Sequence, residues 1–207
     1  MVIGADEYKS PVGLDKLHVA EVTKDDATAY TAGDPEMLAP AGSAKVSSSV
    51  NTSVQYADDG PFDTATGEGE TKVDIEVTNV PLAMAAKLTG KTLNATNGML
   101  IHGSGGAAPE FALSFRSKKS NGKYRYIQYL KGTFSLADEE YNTMKETPEP
   151  KYVKLNYTAL FTVYEFQTAA GKKERVKYTK VDEDVTESAA LAAAWFEQVN
   201  VPATVGP

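Results

Sequence analysis

The chain has no cysteine and only two histidines, His18 and His102, among its 207 residues. Without thiols it can form no disulfide, no thiolate metal site and no cysteine nucleophile. A zinc site or a Ser-His-Asp triad would have to use one of two histidines that lie far apart in the sequence. We therefore expect no metal ion and no cofactor.

Long apolar runs and an excess of basic residues are also missing. No apolar run approaches the roughly 18 residues that a membrane helix needs, and Met1–Lys9 has neither the basic nor the apolar region of a secretory signal. The 28 acidic residues outnumber the 21 basic ones, which gives a net charge of −7 and no basic footprint for nucleic acid. We expect a protein made in the cytoplasm that does not insert into a membrane.

Sequence templates for catalysis give no match. The run Gly103–Gly106 has no Walker lysine, and the chain has no Gly-x-Ser-x-Gly motif. Neither Asp58-Asp59 nor Asp182–Asp184 has the spacing of an EF-hand loop. We predict no catalytic residue and no enzymatic activity, although two distant carboxylates meeting in a cleft would leave a carboxylate hydrolase open.

Charge is present but unevenly distributed along the chain. Residues 1–80 hold five basic and fifteen acidic residues, whereas residues 81–207 hold sixteen basic and thirteen acidic ones. The segment Arg116–Lys131 contains six basic residues and no acidic one. Such asymmetry arises from ordinary surface solvation, or from a head-to-tail contact between copies of the chain.

Apolar residues mostly alternate with polar ones, which predicts strands. The predicted strands are Lys16–Thr23, Glu70–Thr78, Glu110–Ser117, Lys123–Phe134, Lys151–Gln167 and Lys172–Val181. Asn121-Gly122 predicts a hairpin turn between the third and the fourth of them. The fold class is therefore mainly β (α+β), a sandwich or a barrel in a single domain over residues 1–207.

Two helices and one long loop complete the prediction. Val80–Thr89 has an apolar stripe with Gly90 just beyond its end, and Thr186–Val199 has Trp195 and Phe196 as its docking face. Within residues 43–69, Ala44–Tyr56 is rich in serine, threonine and valine and has β character with a weak core face, whereas Ala57–Gly69 is polar and contains an Asp-Asp-Gly-Pro turn. We predict that residues 43–69 form a long exposed loop or arm.

Several stretches resemble the phage major tail proteins, the tail tube proteins of long non-contractile-tailed phages and prophages of Gram-positive bacteria. They are Tyr8–His18, Tyr56–Pro61, Phe115–Tyr126 and Lys131–Phe134, and the likeness runs from Tyr8 to about Val181. The stretch from Arg116 to Tyr126 is its most specific part.

The resemblance implies two packed antiparallel sheets flanked by a helix. It also implies hexameric rings that stack into a tube of the virion tail, with strands of each subunit forming one barrel around the lumen. Its partners would be other copies of itself, a tape-measure protein, and the tail-terminator and distal tail proteins. DNA would pass through the lumen without specific binding, and a long loop would reach the neighbouring ring.

We therefore predict a structural subunit of a tail tube with two contact surfaces. The arm supplies Tyr56, Asp58, Asp59 and Phe62, and the basic hairpin supplies Arg116, Lys118, Lys119, Lys123 and Arg125. Changing Lys118 and Lys119 to Glu should weaken assembly and leave the monomer folded. The alternatives are a monomeric adhesive or carbohydrate-binding β-sandwich and, because tyrosines interleave with the basic residues, a single-stranded nucleic-acid binder.

Overall fold

A computed structural model of the chain describes residues 8–57, 59–136, 143, 151–169 and 171–202. The strands in these ranges are β1 (Pro11–Asp25), β2 (Tyr30–Ala32), β3 (Glu36–Met37), β4 (Ala41–Ala57), β5 (Gly60–Val77), β6 (Thr92–Leu93), β7 (Leu100–Ile101), β8 (Phe111–Lys119), β9 (Tyr124–Tyr129), β10 (Gly132–Leu136), β11 (Val153–Ala159), β12 (Glu165–Ala169), β13 (Lys172–Arg175) and β14 (Tyr178–Asp182). The helices are α1 (Leu82–Thr89) and α2 (Ala189–Ala193). The prediction of a mainly β fold with a few helices is confirmed.

Two antiparallel sheets form the body of the molecule. The first has the strand order β14-β9-β8-β1-β2, with β3 also paired to β1. The second has the order β10-β11-β5-β4. Two short hairpins, β12–β13 and β6–β7, lie outside both sheets.

The core lies where the apolar faces of the two sheets meet. Val73, Ile75 and Val77 of β5 are fully buried, whereas the alternate residues Lys72 and Asp74 are exposed, as the period-two pattern predicts. They pack in one cluster with apolar residues of the first sheet, among them Leu17, Val19, Phe111, Leu113, Phe115, Ile127 and Tyr129. Each such buried side chain contributes roughly 1.5–3 kcal/mol through the hydrophobic effect, so this interface between the sheets stabilises the fold.

The predicted turn at Asn121-Gly122 is confirmed as the connection between β8 and β9. Gly122 has a φ of +86°, which glycine adopts without strain. The backbone N–H of Lys123 donates to the Asn121 side-chain oxygen at 3.1 Å. This turn fixes the register in which Arg116 lies opposite Tyr126.

Three predicted strands are each divided in the structure, and one of them, Lys172–Val181, becomes β13 and β14. Lys123–Phe134 becomes β9 in the first sheet and β10 in the second, because the chain crosses between the sheets at Leu130 and Lys131. Lys151–Gln167 becomes β11 and β12, because the Asp25 carboxylate accepts hydrogen bonds from the backbone N–H groups of Val163 and Tyr164. The breaks in Lys123–Phe134 and Lys151–Gln167 depend on contacts between residues far apart in the sequence.

The predicted helix over Val80–Thr89 is present as α1, which ends at Thr89 and is followed by Gly90 with a φ of +66°. The predicted helix over Thr186–Val199 is shorter than expected. It consists of a 3₁₀ turn at Thr186–Ser188 followed by α2, which ends at Ala193. The Asn200 side-chain amide donates to the carbonyl oxygens of Trp195 and Gln198, which fixes a non-helical end. The backbone of Asn200 exchanges two hydrogen bonds with the Gln128 side chain of β9, which hold this end against the first sheet.

Candidate assembly interface

The predicted loop over residues 43–69 is instead part of a long β-hairpin, and we call its segment from Val50 to Gly67 the arm. Strands β4 and β5 pair from Ala41 opposite Val77 to Ala57 opposite Gly60. Serine and threonine made the segment resemble a loop, but threonine is a good strand former and these residues pair across the ladder. The hydroxyl oxygens of Thr52 and Thr66, for example, lie 3.5 Å apart.

The arm extends beyond the body of the molecule. Strand β11 pairs with β5 only from Thr71 to Val77, so residues 60–70 of β5 pair with β4 alone. At about 3.3 Å per residue, these eleven positions project roughly 35 Å from the sheet. An isolated two-stranded ribbon of this length is marginally stable in water, and a second surface would stabilise it.

One face of the arm continues the face that is buried in the core. Val46 lies opposite the fully buried Val73, and the same face of β4 continues through Val50 and Val54. Val50 is 63% exposed and Val54 is 39% exposed. An even spacing places Val46, Val50 and Val54 on one face of a strand, and this spacing is the signal in the sequence that indicates a ribbon and not a loop.

The tip of the arm carries the predicted aromatic contact residues. Tyr56 is 72% exposed and Phe62 is 75% exposed. Asp59 has a φ of +62° and lies in the turn that joins β4 to β5. Asp58 lies outside the described residues. The structure therefore presents two large aromatic side chains at the end of the arm.

Within the described part of the chain, no strand pairs with the outer edge of β4, and the outer edge of β10 carries only an isolated bridge between Glu110 and Thr133. Strand β4 is the outermost strand at one edge and β10 at the other. An edge of this kind presents a row of backbone N–H and C=O groups that can pair with another chain. The 17 residues of β4 make its edge unusually long for a globular domain.

The solvent-facing side of the second sheet is polar and evenly charged. Cross-strand pairs bring Lys154 beside Glu76 and Lys45 beside Asp74, and Thr158 lies opposite Lys72. These side chains alternate with those that face the core. The result is a wet, nearly neutral surface on the four-stranded sheet.

Two arginines of the predicted basic hairpin are already paired within the chain. Arg116 forms a bidentate ion pair with Asp15 at 2.6 and 2.9 Å, and its guanidinium lies 3.9 Å from the ring centroid of Tyr124. The hydrogen bond to Asp15 raises the pKa of Arg116. Arg125 forms a second bidentate pair with Asp182, with both distances at 2.6 Å, which raises the pKa of Arg125 and lowers that of Asp182.

Lys119 is not a surface residue, contrary to the prediction that it could be changed without affecting the monomer. Its side chain is 2% exposed, and its ammonium lies 2.5 Å from Asp184 and 3.0 Å from Asp182. Burial alone would lower the pKa of Lys119, but the hydrogen bonds to the two carboxylates outweigh it and raise the pKa above its ordinary value. This buried ion pair is therefore part of the folded monomer, and Lys119 is not an exposed contact residue.

Lys118 and Lys123 remain as free surface charges of the hairpin. Both are exposed, and neither forms an ion pair within the described ranges. Of the five predicted basic contact residues, these two therefore have an ammonium group available to a partner.

Neither a metal site nor a membrane-spanning helix is present in the part of the chain that the structure describes. No three His, Asp or Glu side chains there are placed to hold a metal ion. Neither α1 nor α2 is long and apolar enough to cross a membrane.

One comparison with known proteins gives a match that covers most of the chain. A family model described as "Phage tail tube protein" matches residues 44–202, about three quarters of the sequence. The match includes the arm, the basic hairpin and the C-terminal segment, whereas the stretch Tyr8–His18 precedes it. No curated protein matches the chain.

Proposed function

Because the chain belongs to the phage tail tube protein family, a structural and not an enzymatic family, we propose that it forms hexameric rings that stack into a conduit for DNA ejection. It is a structural subunit of a phage tail tube, a component of the virion tail. We further propose that the host of this phage or prophage is a Gram-positive bacterium.

The observation that carries the proposal is the arm. The ribbon projects roughly 35 Å, has exposed valines on one face and ends in Tyr56 and Phe62. Within the described part of the chain it pairs with no strand outside its own hairpin. Burial of that face against another subunit would stabilise both the ribbon and the contact. We assign the arm to the contact between one ring and the next.

The two edges of the second sheet, of which only the β10 edge carries an isolated bridge, support a ring. Pairing the β4 edge of one copy with the β10 edge of the next is a heterologous contact, and such contacts close into rings when the rotation fits. The second sheets of the copies would then form one barrel. Its polar, nearly neutral face would line the lumen, where a surface with no excess of positive charge would not retain passing DNA.

Charge supports a head-to-tail arrangement of stacked rings. From Val46 to Thr71 the chain has five acidic residues and no basic one. Asp59 and Asp63 near the tip form no ion pair within the described part of the chain. We propose that they lie near Lys118 and Lys123 of a subunit in the neighbouring ring. The tape-measure, tail-terminator and distal tail proteins are the further proposed partners.

Negative-stain electron microscopy of the purified protein over a concentration series tests this proposal. We expect six-fold rings or hollow tubes whose abundance rises with protein concentration, and sedimentation should show the same transition. Monomers at every concentration, together with a ligand-dependent rise in melting temperature in a glycan screen, would instead favour the carbohydrate-binding β-sandwich.

A further inference from the structure

Lys177 is a buried cation at the edge of the first sheet. It lies in the short connection between β13 and β14, and the residue is 4% exposed. Its backbone carbonyl accepts a hydrogen bond of 3.0 Å from the N–H of Leu130, where the chain crosses between the sheets. The main chain at Lys177 is therefore fixed to the body of the molecule.

The ammonium group of Lys177 reaches across to the other sheet and contacts β5. It donates to a Glu68 carboxylate oxygen at 2.7 Å, to the Thr71 hydroxyl at 3.2 Å and to the Gly69 carbonyl at 3.4 Å. These contacts account for its three protons. The ammonium also lies 4.3 Å from the ring centroid of Phe161, close enough for a cation–π interaction.

These contacts lie at the point where β5 leaves the body. Thr71 is the first residue of β5 that pairs with β11, and the ladder with β4 shifts register between Ser48 and Val50. The shift gives β5 an extra residue, and such bulges bend a strand and increase its twist. A Cβ on Gly69 would lie 2.3 Å from the Ser49 hydroxyl oxygen and 3.1 Å from the Ser49 carbonyl oxygen, so the two strands approach closely here and an alanine would force the Ser49 side chain to move.

We propose that Lys177 is a positioning residue that sets the direction in which the arm leaves the body, and thereby the geometry of the contact with a second copy. A bulged, two-stranded ribbon can bend at its base. The buried ammonium of Lys177 holds the arm in a single orientation, because it bonds three groups of β5 at that base. The backbone of Lys177 is itself bonded to Leu130, directly after β9 in the opposite sheet. The second half of the proposal rests on the proposed function, whereas the first half does not.

A distance measurement within one chain tests the orientation directly. Because the chain has no cysteine, spin labels can be attached at Thr64→Cys near the tip of the arm and at Lys180→Cys on β14. Double electron–electron resonance on labelled protein in an excess of unlabelled protein then reports only distances within one chain. We expect a narrow distance distribution in the doubly labelled protein that retains Lys177.

Lys177→Met keeps the aliphatic stem and removes the ammonium, and we expect it to abolish the narrow distribution. The matched control is Lys173→Met, an exposed lysine on β13 without an ion pair in the described ranges, which should leave the distribution narrow. Glu68→Ala is the second variant. Its side chain is 47% exposed, so this variant is expected to fold even where removal of the buried lysine does not.

Each outcome of this experiment decides one part of the proposal. Narrow distributions in folded Lys177→Met and in Glu68→Ala would overturn it. Broad distributions with unchanged assembly would overturn the inference that the direction of the arm sets the geometry of the contact with a second copy. If the unsubstituted protein forms no tubes while Lys177→Met still broadens the distribution, the proposed function fails and the positioning role of Lys177 is supported.

Discussion

The ammonium of Lys131 lies 2.8 Å from the carboxylate of Asp25, and this buried ion pair joins the two sheets of the molecule. Asp25 ends β1 in the first sheet, and Lys131 directly precedes β10 in the second. The Asp25 side chain is 1% exposed and also accepts hydrogen bonds from the backbone N–H groups of Val163 and Tyr164. One carboxylate therefore holds the crossing between the sheets and the break between β11 and β12.

We predict that Asp25→Asn destabilises the fold by about 3 kcal/mol or more, because it leaves the Lys131 ammonium with less compensating charge. Urea denaturation of the dilute protein measures this. Asp34→Asn, at an exposed carboxylate, is the matched control and should change the free energy of unfolding by less than about 0.5 kcal/mol. Equal effects of the two substitutions would contradict a stabilising role for the buried ion pair between Asp25 and Lys131.

The same carboxylate predicts a dependence on pH. Burial tends to raise the pKa of Asp25, but hydrogen bonds from Lys131, Val163 and Tyr164 hold it below its ordinary value of 3.8. The stabilisation by Asp25 is therefore complete above that ordinary value, and is lost as the pH falls through the lower pKa of the folded state. The difference in unfolding free energy between the unsubstituted protein and Asp25→Asn should shrink in acid and stay constant from pH 5 to pH 7.

The sequence predicted the elements that local pattern determines, and it failed where distant contacts decide. A few neighbouring residues determine the alternation in β5, the turn at Asn121-Gly122 and the end of α1 before Gly90. The break after β11 depends on Asp25, and the burial of Lys119 depends on Asp182 and Asp184, more than sixty residues away along the chain. No local pattern distinguishes Lys119 from the exposed Lys118.

For the basic hairpin, we predict that Lys118→Glu combined with Lys123→Glu weakens assembly and leaves the monomer stable. Both ammonium groups are exposed and lack an ion pair in the described ranges, so the substitutions remove no contact of the fold. The concentration at which tubes appear in electron micrographs should rise, and more so at low ionic strength, where surface charges are less screened.

The control for this pair is Lys173→Glu combined with Arg175→Glu, which reverses two exposed charges on β13. An equal effect on assembly would show that net charge, and not the hairpin, is responsible. Lys119→Glu belongs to a different test, because it places a third carboxylate beside Asp182 and Asp184. We expect that substitution to lower the melting temperature of the monomer.

At the start of β10 we predict that Gly132→Ala destabilises the monomer. A Cβ at this position would lie 2.4 Å from the Thr158 carbonyl oxygen and 2.4 Å from the Tyr157 ring, distances that real Cβ atoms do not show. Overpacking of this kind costs about 1–3 kcal/mol. Gly103→Ala, where a Cβ would meet no atom within 4 Å, is the matched control in thermal denaturation, and equal melting temperatures would contradict this packing.

At the tip of the arm we predict that Tyr56→Ser combined with Phe62→Ser abolishes assembly without destabilising the monomer. Both rings are more than 70% exposed, so the monomer loses little buried apolar area when they are removed. In an interface between stacked protein rings the two aromatic side chains would be buried. Truncation of a buried aromatic anchor typically costs about 2 kcal/mol or more, which corresponds to about thirtyfold in affinity.

Met99→Ser removes an apolar side chain of similar exposure, 58%, from the β6–β7 connection and serves as the control. Sedimentation velocity should show tubes for the control and monomers for the double variant, with unchanged unfolding in urea for both. Tubes formed by the double variant at the unsubstituted concentration would exclude the aromatic tip from the contact and leave the valine face of the arm as the surface to test.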